Sequence, residues 1–291
     1  MTYKQQLQTK KFFNLDAKNW SKKSDLYKNK VMNTLQERNL YVFEQFKKFK
    51  LKSILDVGCG AGDLSFEASK ISKKSLGIDF SKNMINLANK KFKNKNLSYL
   101  NLSIFDFNTN YKFDCVSANG FIEYISLNDI KNFLKISSKL LNKNGYLIFG
   151  TRNRLFNLFS LNKFTQNEMK KKSFKKFYEE SIALNSLDFN KFVKVKKNRF
   201  EEVPFKQPKT GINVNKRHQF SPLQLVNILK KTGFNPIDFH PINYHPVLPI
   251  NYMKDINFKI FSNFIYRLKN FNKLPFIPLS SSFMVTAKKI K

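Results

Sequence analysis

The stretch "SILDVGCGAGDLSFEASK" at residues 53–70 sets Gly58, Gly60 and Gly62 at alternate positions between two acids, Asp56 and Asp63. Glycines where a strand turns into a helix let the backbone approach a ligand closely, because no Cβ intervenes. A dinucleotide fingerprint beginning at Gly58 needs its third glycine at position 63, where Asp63 stands. An acid there faces a pyrophosphate, and two unit charges ~4 Å apart repel by roughly 4 kcal/mol at an effective dielectric of ~20. No G-K-[ST] follows, so a Walker loop is excluded too. The acids instead suit a ligand carrying an ammonium or a sulfonium. Further on, "LGIDF" ends with Asp79 and Phe80. An acid at the carboxyl end of a second strand is placed to accept both hydroxyls of a ribose. "SIFDF" then offers Asp106 at the edge of the same cleft, where a carboxylate accepts from an adenine amino group while Phe80, Phe105 or Phe107 covers the ring.

The elements that must hold these residues are legible as a rhythm. From residue 53 short apolar runs alternate with helical segments: "SILDVG", a helix over 62–72, "KSLGIDF", a helix over 81–93, "LSYLNLSIFDF", "FDCVSANGF", a helix over 127–141, and "GYLIFGT". Strands separated by helices imply crossover connections. The expected fold is therefore α/β: a Rossmann-like, mostly parallel seven-stranded sheet with helices on both faces, binding ligands outside the carboxyl ends of its strands. Four segments are expected: a helical cap over 1–50, the core over 51–151, a helical insertion forming a lid over 152–217, and the rest of the core over 218–291. In the last segment "SPLQLVNILKKTGF" carries Ser221 as N-cap, Pro222 at the first helical position and Gly233 as stop. Strands follow at "NPIDFHPI" and "SSFMVTAKKI", separated by a Pro-rich and amphipathic insertion.

Composition narrows the partners less than it first promises. The formal charge is +33, which invites nucleic acid or an anionic membrane. Yet only six basic residues are Arg, and the excess of Lys beside abundant Asn, Ile and Phe fits AT-rich coding equally well. Cys59 and Cys115 make neither a disulfide framework nor a metal knuckle, which fits a reducing cytoplasm. No signal peptide is expected, and no apolar run approaches the ~20 residues that span a bilayer.

The motifs together resemble the class I S-adenosylmethionine (SAM)-dependent methyltransferases. "ILDVGCGAGDLS" is similar to that family's glycine motif, "LGIDFSKNMINLANKK" to its ribose segment, "NLSIFDF" to its adenine segment, and "FDCVSANGFIEYI" to the strand facing the methyl donor. "LLNKNGYLIFGTRN" matches the next helix–strand pair, so the likeness is tight over about 53–153 and loose to about 240. The resemblance implies that Asp56, Gly58 and Gly60 hold the methionine part and Asp79 the ribose, with Gly62 and Phe80 completing the expected cofactor-binding set. It places Asp106 and Phe107 at the adenine and Asn119 near the sulfonium.

In this family a methyl transfer needs no protein nucleophile, only a base for an O–H or N–H acceptor. His218 and Tyr124 are the candidate bases. The three histidines are poorly spaced for a metal, and no metal site is expected. Arg152 and Arg154 in "GTRNRLFNLF" stand at a strand end facing the cleft, where a guanidinium fork suits a carboxylate or phosphate. The expected acceptor is thus a small, anionic molecule or a lipid or glycan precursor, of the kind met in quinone, polyketide or surface-polysaccharide pathways. RNA is the alternative acceptor, although "ANGF" replaces the D/N-P-P-Y/F of amino-methylating nucleic-acid enzymes. A SAM-binding protein without catalysis is the third reading. Residues 254–269 put Phe258, Phe261, Phe264, Ile265 and Leu268 on one helical face, which fits either a cap helix packed on the core or peripheral contact with an anionic membrane.

Overall fold

The computed structural model describes residues 3–24, 31–171, 173–196, 218–248, 256–268 and 271–290. Part of the expected insertion, 197–217, lies outside them, as do 254, 255 and 269 of the amphipathic segment.

Strand β1 (Ser53–Val57) is buried on both faces, which is why "SILDV" reads as a near-continuous apolar run. It pairs in parallel with β2 (Lys74–Asp79) on one side and β4 (Phe113–Asn119) on the other. β3 (Leu97–Asn101) extends the sheet beyond β2 and β5 (Leu141–Arg152) beyond β4, both in parallel. β6 (Phe234–Tyr244) and β7 (Ser280–Lys289) complete a seven-stranded sheet in the order β3-β2-β1-β4-β5-β7-β6, with β7 antiparallel to both neighbours. The order reverses between β1 and β4, so a crevice opens at their carboxyl ends.

Helices α4 (Asp63–Ser69), α5 (Lys82–Lys91) and α6 (Leu127–Leu140) make the crossovers close to where the sequence places them. α11, over Pro222–Lys231, follows the anticipated Ser221 capping box with Pro222 in its first turn. The third strand is shorter than "LSYLNLSIFDF" suggests. Past Asn101 the chain turns, and the Asp106 N–H donates to the Ser103 carbonyl at 3.1 Å.

The N-terminal region forms α1 (Tyr3–Leu15), α2 (Ala17–Ser24) and α3 (Thr34–Lys48). Asn14 fastens the first of these to the start of α5: its Oδ1 accepts from Ser81 Oγ at 2.6 Å and its carbonyl from Asn83 Nδ2 at 2.9 Å. Ser24 Oγ donates to Asp63 Oδ2 at 2.5 Å, while Lys91 Nζ reaches Asp63 Oδ1 at 2.7 Å. Asp63, the acid that breaks the dinucleotide pattern, is thereby a fastening point for the N-terminal helices.

The region after β5 contains α7 (Phe156–Phe159), α8 (Lys163–Lys170), α9 (Phe174–Ser186) and α10 (Phe189–Phe192). Its Leu158, Phe177, Leu184 and Phe192 join the main hydrophobic core with Phe220, Phe239 and Phe283. None of the described residues 156–196 lines the crevice. Of the insertion expected as a lid over 152–217, the described residues 156–196 pack on the main core, and α1 and α2 stand over the crevice.

Candidate functional site

A cavity of about 670 Å³ opens at the carboxyl ends of β1, β2 and β4, and a second of about 190 Å³ adjoins it. Trp20, Gly58, Gly60, Asn119, Gly120 and Tyr124 belong to the walls of both. Trp20 packs edge-on against Phe13 and Phe13 against Tyr124, with ring centroids 5.4 and 5.8 Å apart. This aromatic chain lays the N-terminal helices across the opening.

The chain leaves β1 through Gly58 (φ +69°) and Gly60 (φ +55°), left-handed conformations that side chains disfavour. Asp79 ends β2 beside this turn, where its Oδ2 accepts from the Gly60 N–H at 3.1 Å and its Oδ1 from the Ser81 N–H at 2.8 Å. It is buried yet lines the larger cavity. Burial pushes its pKa up to about 6 against the opposing pull of those two N–H donors. Asp56 is also pushed up to about 6 by burial, although hydroxyls of Ser117 and Ser65 donate to it, each at 2.7 Å. Those serines come from β4 and α4, so Asp56 braces the turn from beneath and touches the smaller cavity.

Other expectations sort clearly. Phe80, Phe105 and the exposed Asp106 line the larger cavity with Asn101, Leu102 and Ile104. Phe107, expected at the adenine, packs against the main core and lines neither cavity, leaving Phe80 and Phe105 as aromatic walls. Gly62, expected as a ligand contact, is also outside both. It begins α4 at φ +85°, and an added Cβ would collide with the Tyr99 ring and hydroxyl. Tyr99 Oη donates to the Gly62 carbonyl at 2.8 Å, so the ring cannot move aside without losing that bond. Gly62→Ala should therefore cost about 2 kcal/mol or more of stability. Urea unfolding checks this, and an unchanged midpoint would return Gly62 to the ligand site.

Asn119 stands where both cavities meet. Its Nδ2 donates to Asn39 Oδ1 at 2.9 Å, while its Oδ1 is buried without a hydrogen-bond partner. Tyr124 lines both cavities, as a candidate base must. His218 does not. It is buried outside both cavities, its backbone N–H donating to the Glu123 carbonyl at 2.7 Å.

The arginines divide in the same way. Arg152, at the end of β5, lines the smaller cavity with its Nε 4.0 Å from Glu123 Oε1. Arg154, expected beside it at an acceptor, is buried in a two-bond fork with Glu168, Nε and Nη2 each donating at 2.9 Å. Its guanidinium lies 4.5 Å over the Phe177 ring and reaches no cavity. Arg154 is a structural ion pair because the chain turns inward after Arg152 and delivers it beneath α8. Sequence reasoning passed over Arg38 on α3, which lines the smaller cavity, donates from Nη2 to Ser282 Oγ at 2.8 Å and lies 3.6 Å from Glu123 Oε2. Its Nε is buried without a partner. One signal was available: Arg38 is the single arginine among the first 151 residues.

Comparison with known proteins agrees with this geometry. A family model described as a methyltransferase domain matches residues 48–209. The ubiquinone biosynthesis O-methyltransferase of Pelagibacter ubique is 37% identical over 121 residues, which are 37% of this chain and 49% of that protein. The protein of the same name from Coxiella burnetii is 29% identical over 155 residues, 49% of this chain and 65% of its own length. The chain thus spans about half the length of the first of these relatives. In fold it is similar to the magnesium protoporphyrin IX methyltransferase of Synechocystis PCC 6803 with bound S-adenosylhomocysteine (SAH), at TM-score 0.55, 12% identity, and coverage of 98% of this chain and 99% of that one. With the family model spanning more than half its length, and the strand order and glycine turn in place, this chain belongs to the methyltransferase-domain family with the class I fold.

Proposed function

We propose that this chain binds SAM and transfers its methyl group to an oxygen or nitrogen of a small or precursor molecule. The observation that carries the reading is Asp79, a buried carboxylate at the end of β2, held against the Gly58–Gly60 turn at the mouth of a cavity large enough for an adenosine. The residues fit the cofactor at both ends. Asp79 would take the ribose hydroxyls, and Phe80, Phe105 and Asp106 would border the adenine. Toward the smaller cavity, the partnerless Asn119 Oδ1 suits the methionine ammonium and Arg38 its carboxylate. When bound, SAM supplies an electrophilic methyl, and proximity within such a site is worth roughly 7–11 kcal/mol. The chain's own work is to hold the acceptor in line, to exclude water with Trp20 and Phe13, and to present the Tyr124 hydroxyl to the acceptor proton.

The acceptor would enter beside Arg152, where Glu123 tempers the positive charge of Arg38 and Arg152 without cancelling it. An acceptor with a carboxylate or phosphate near its O–H matches that wall. The names of the Pelagibacter and Coxiella relatives support an oxygen acceptor on a small molecule.

The two arginines separate these roles experimentally. Arg38→Gln should weaken SAM binding by about tenfold or more, because a charge-assisted pair to a carboxylate is lost. Arg152→Ala should leave SAM affinity unchanged and raise the KM of an anionic acceptor by a similar factor. Labelled-methyl transfer to fractionated metabolites and lipids, with RNA as comparison, identifies the acceptor class. Label found only in RNA would overturn the small-molecule reading.

A further inference from the structure

The helix α12 (Ile256–Arg267) turns only part of its apolar surface toward the core. Its buried residues are Ser262, Asn263, Ile265 and Tyr266, while Ile256, Ile260, Phe261 and Phe264 are each between 44% and 56% exposed. Of the apolar face expected either to pack on the core or to meet a membrane, Ile265 is buried while Phe261 and Phe264 face outward. This orientation has a polar cause. Asn263 Oδ1 accepts from the Met32 N–H at 2.7 Å, and its Nδ2 donates to Glu37 Oε1 at 2.8 Å. The other oxygen of Glu37 accepts from the N–H of Asn243, a residue of the smaller cavity's wall, at 2.7 Å. These bonds lock α12 to α3 and β6 with Ile256, Ile260, Phe261 and Phe264 outward. Phe271, 54% exposed, and Phe276 continue the apolar surface, through the Phe271–Phe276 and Tyr244–Phe276 ring contacts at 5.8 and 5.2 Å.

Charge identifies what covers this face. Residues 256–290 contain no Asp or Glu, and Lys259 and Arg267 lie on the same helix as the exposed apolar side chains. The nearby acids of the neighbouring elements are hydrogen-bonded: Glu44 accepts from Tyr266 Oη and Asp238 from Tyr41 Oη, and both lie near Lys273, which donates to the Tyr266 carbonyl. Exposed aromatic and branched side chains flanked by Lys259 and Arg267, with no acid on the helix, match an anionic bilayer surface, where apolar groups enter the acyl boundary and cations meet the headgroups. Contact of this kind is peripheral, since no helix among the described residues is long and apolar enough to cross a membrane. We infer that α12, extended by Phe271, docks this protein on anionic lipid bilayers. The inference is independent of methyl transfer.

The test is flotation of the full chain with phosphatidylcholine vesicles, with and without phosphatidylglycerol, in the absence of SAM. Binding is expected to the anionic vesicles and to fall by more than about tenfold when Ile260, Phe261 and Phe264 are changed to Ser. Lys259→Glu with Arg267→Glu, which leaves the apolar face intact, should abolish the preference for phosphatidylglycerol. Ile182→Ser, an exposed apolar position on α9, should change nothing. Equal binding by the triple-Ser variant would reduce the effect to adsorption by net charge and overturn the proposal. So would vesicle-independent self-association that the triple-Ser variant loses, which would assign the face to a second copy of this chain.

Discussion

Asp79→Ala should lower SAM affinity by about 100-fold or more. Two charge-assisted hydrogen bonds to ribose hydroxyls disappear, each worth about 1.5–3 kcal/mol. The same change frees the N–H groups of Gly60 and Ser81, so the glycine turn loses its anchor as well. Asp79→Asn separates these effects, since its single carbonyl oxygen can keep only part of either set. The wild type carries a matching pH signature. Burial holds the Asp79 carboxyl near a pKa of about 6, so SAM affinity should weaken as pH falls through that value. Stability of the free protein runs the other way. A carboxyl whose folded pKa lies above its unfolded value of about 3.9 costs nothing below that pH, and its penalty is complete above the folded value. Through Asp56 and Asp79, the free protein should lose stability as pH rises from about 4 to about 6. Thermal unfolding across that range, with and without SAM, reads both trends. Affinity that is flat through pH 6 in the wild type, or retained in Asp79→Ala, would remove Asp79 from the ribose site.

Arg154→Ala should cost about 3–5 kcal/mol of stability while leaving SAM affinity untouched. Removing one partner of a buried ion pair strands the other, and here Glu168 would remain buried with only Ser173 and Asn157 donating to it. Burial alone would raise the Glu168 pKa, but the hydrogen bonds and charge of Arg154 hold it below the usual carboxylate range. That pair's contribution is therefore present at neutral pH and lost only as acid reaches the depressed pKa. Denaturant unfolding measures the loss. An unchanged midpoint together with a raised acceptor KM would return Arg154 to the acceptor site.

The contrast between Arg152 and Arg154 shows where sequence stops being informative. The alternation of apolar runs and helical segments prescribes seven strands, and Ser221 with Pro222 fixes a helix start, because these signals are local. The positions of Asp79 and the Gly58–Gly60 turn were legible for the same reason: each sits at a strand end whose direction the crossovers dictate. Whether a residue two places beyond a strand faces the cleft or the core is not local. It depends on α8 presenting Glu168 to Arg154, which nothing in "GTRNRLF" reveals. Arg38 was missed for a related reason, since its helix precedes the sheet and meets the smaller cavity only in three dimensions. The outward turn of Phe261 and Phe264 on α12 likewise comes from remote partners, as Asn263 is satisfied by Met32 and Glu37. Periodicity alone leaves that face open between core packing and membrane contact.

Calorimetric titration of the purified chain with SAM, beside NADH as a dinucleotide control, tests the central claim most directly. Saturable SAM binding at one site per chain, unaffected by moderate salt and absent for NADH, is the expected result. Heat from NADH with none from SAM would contradict the assignment of the cleft, whatever the family to which the fold belongs.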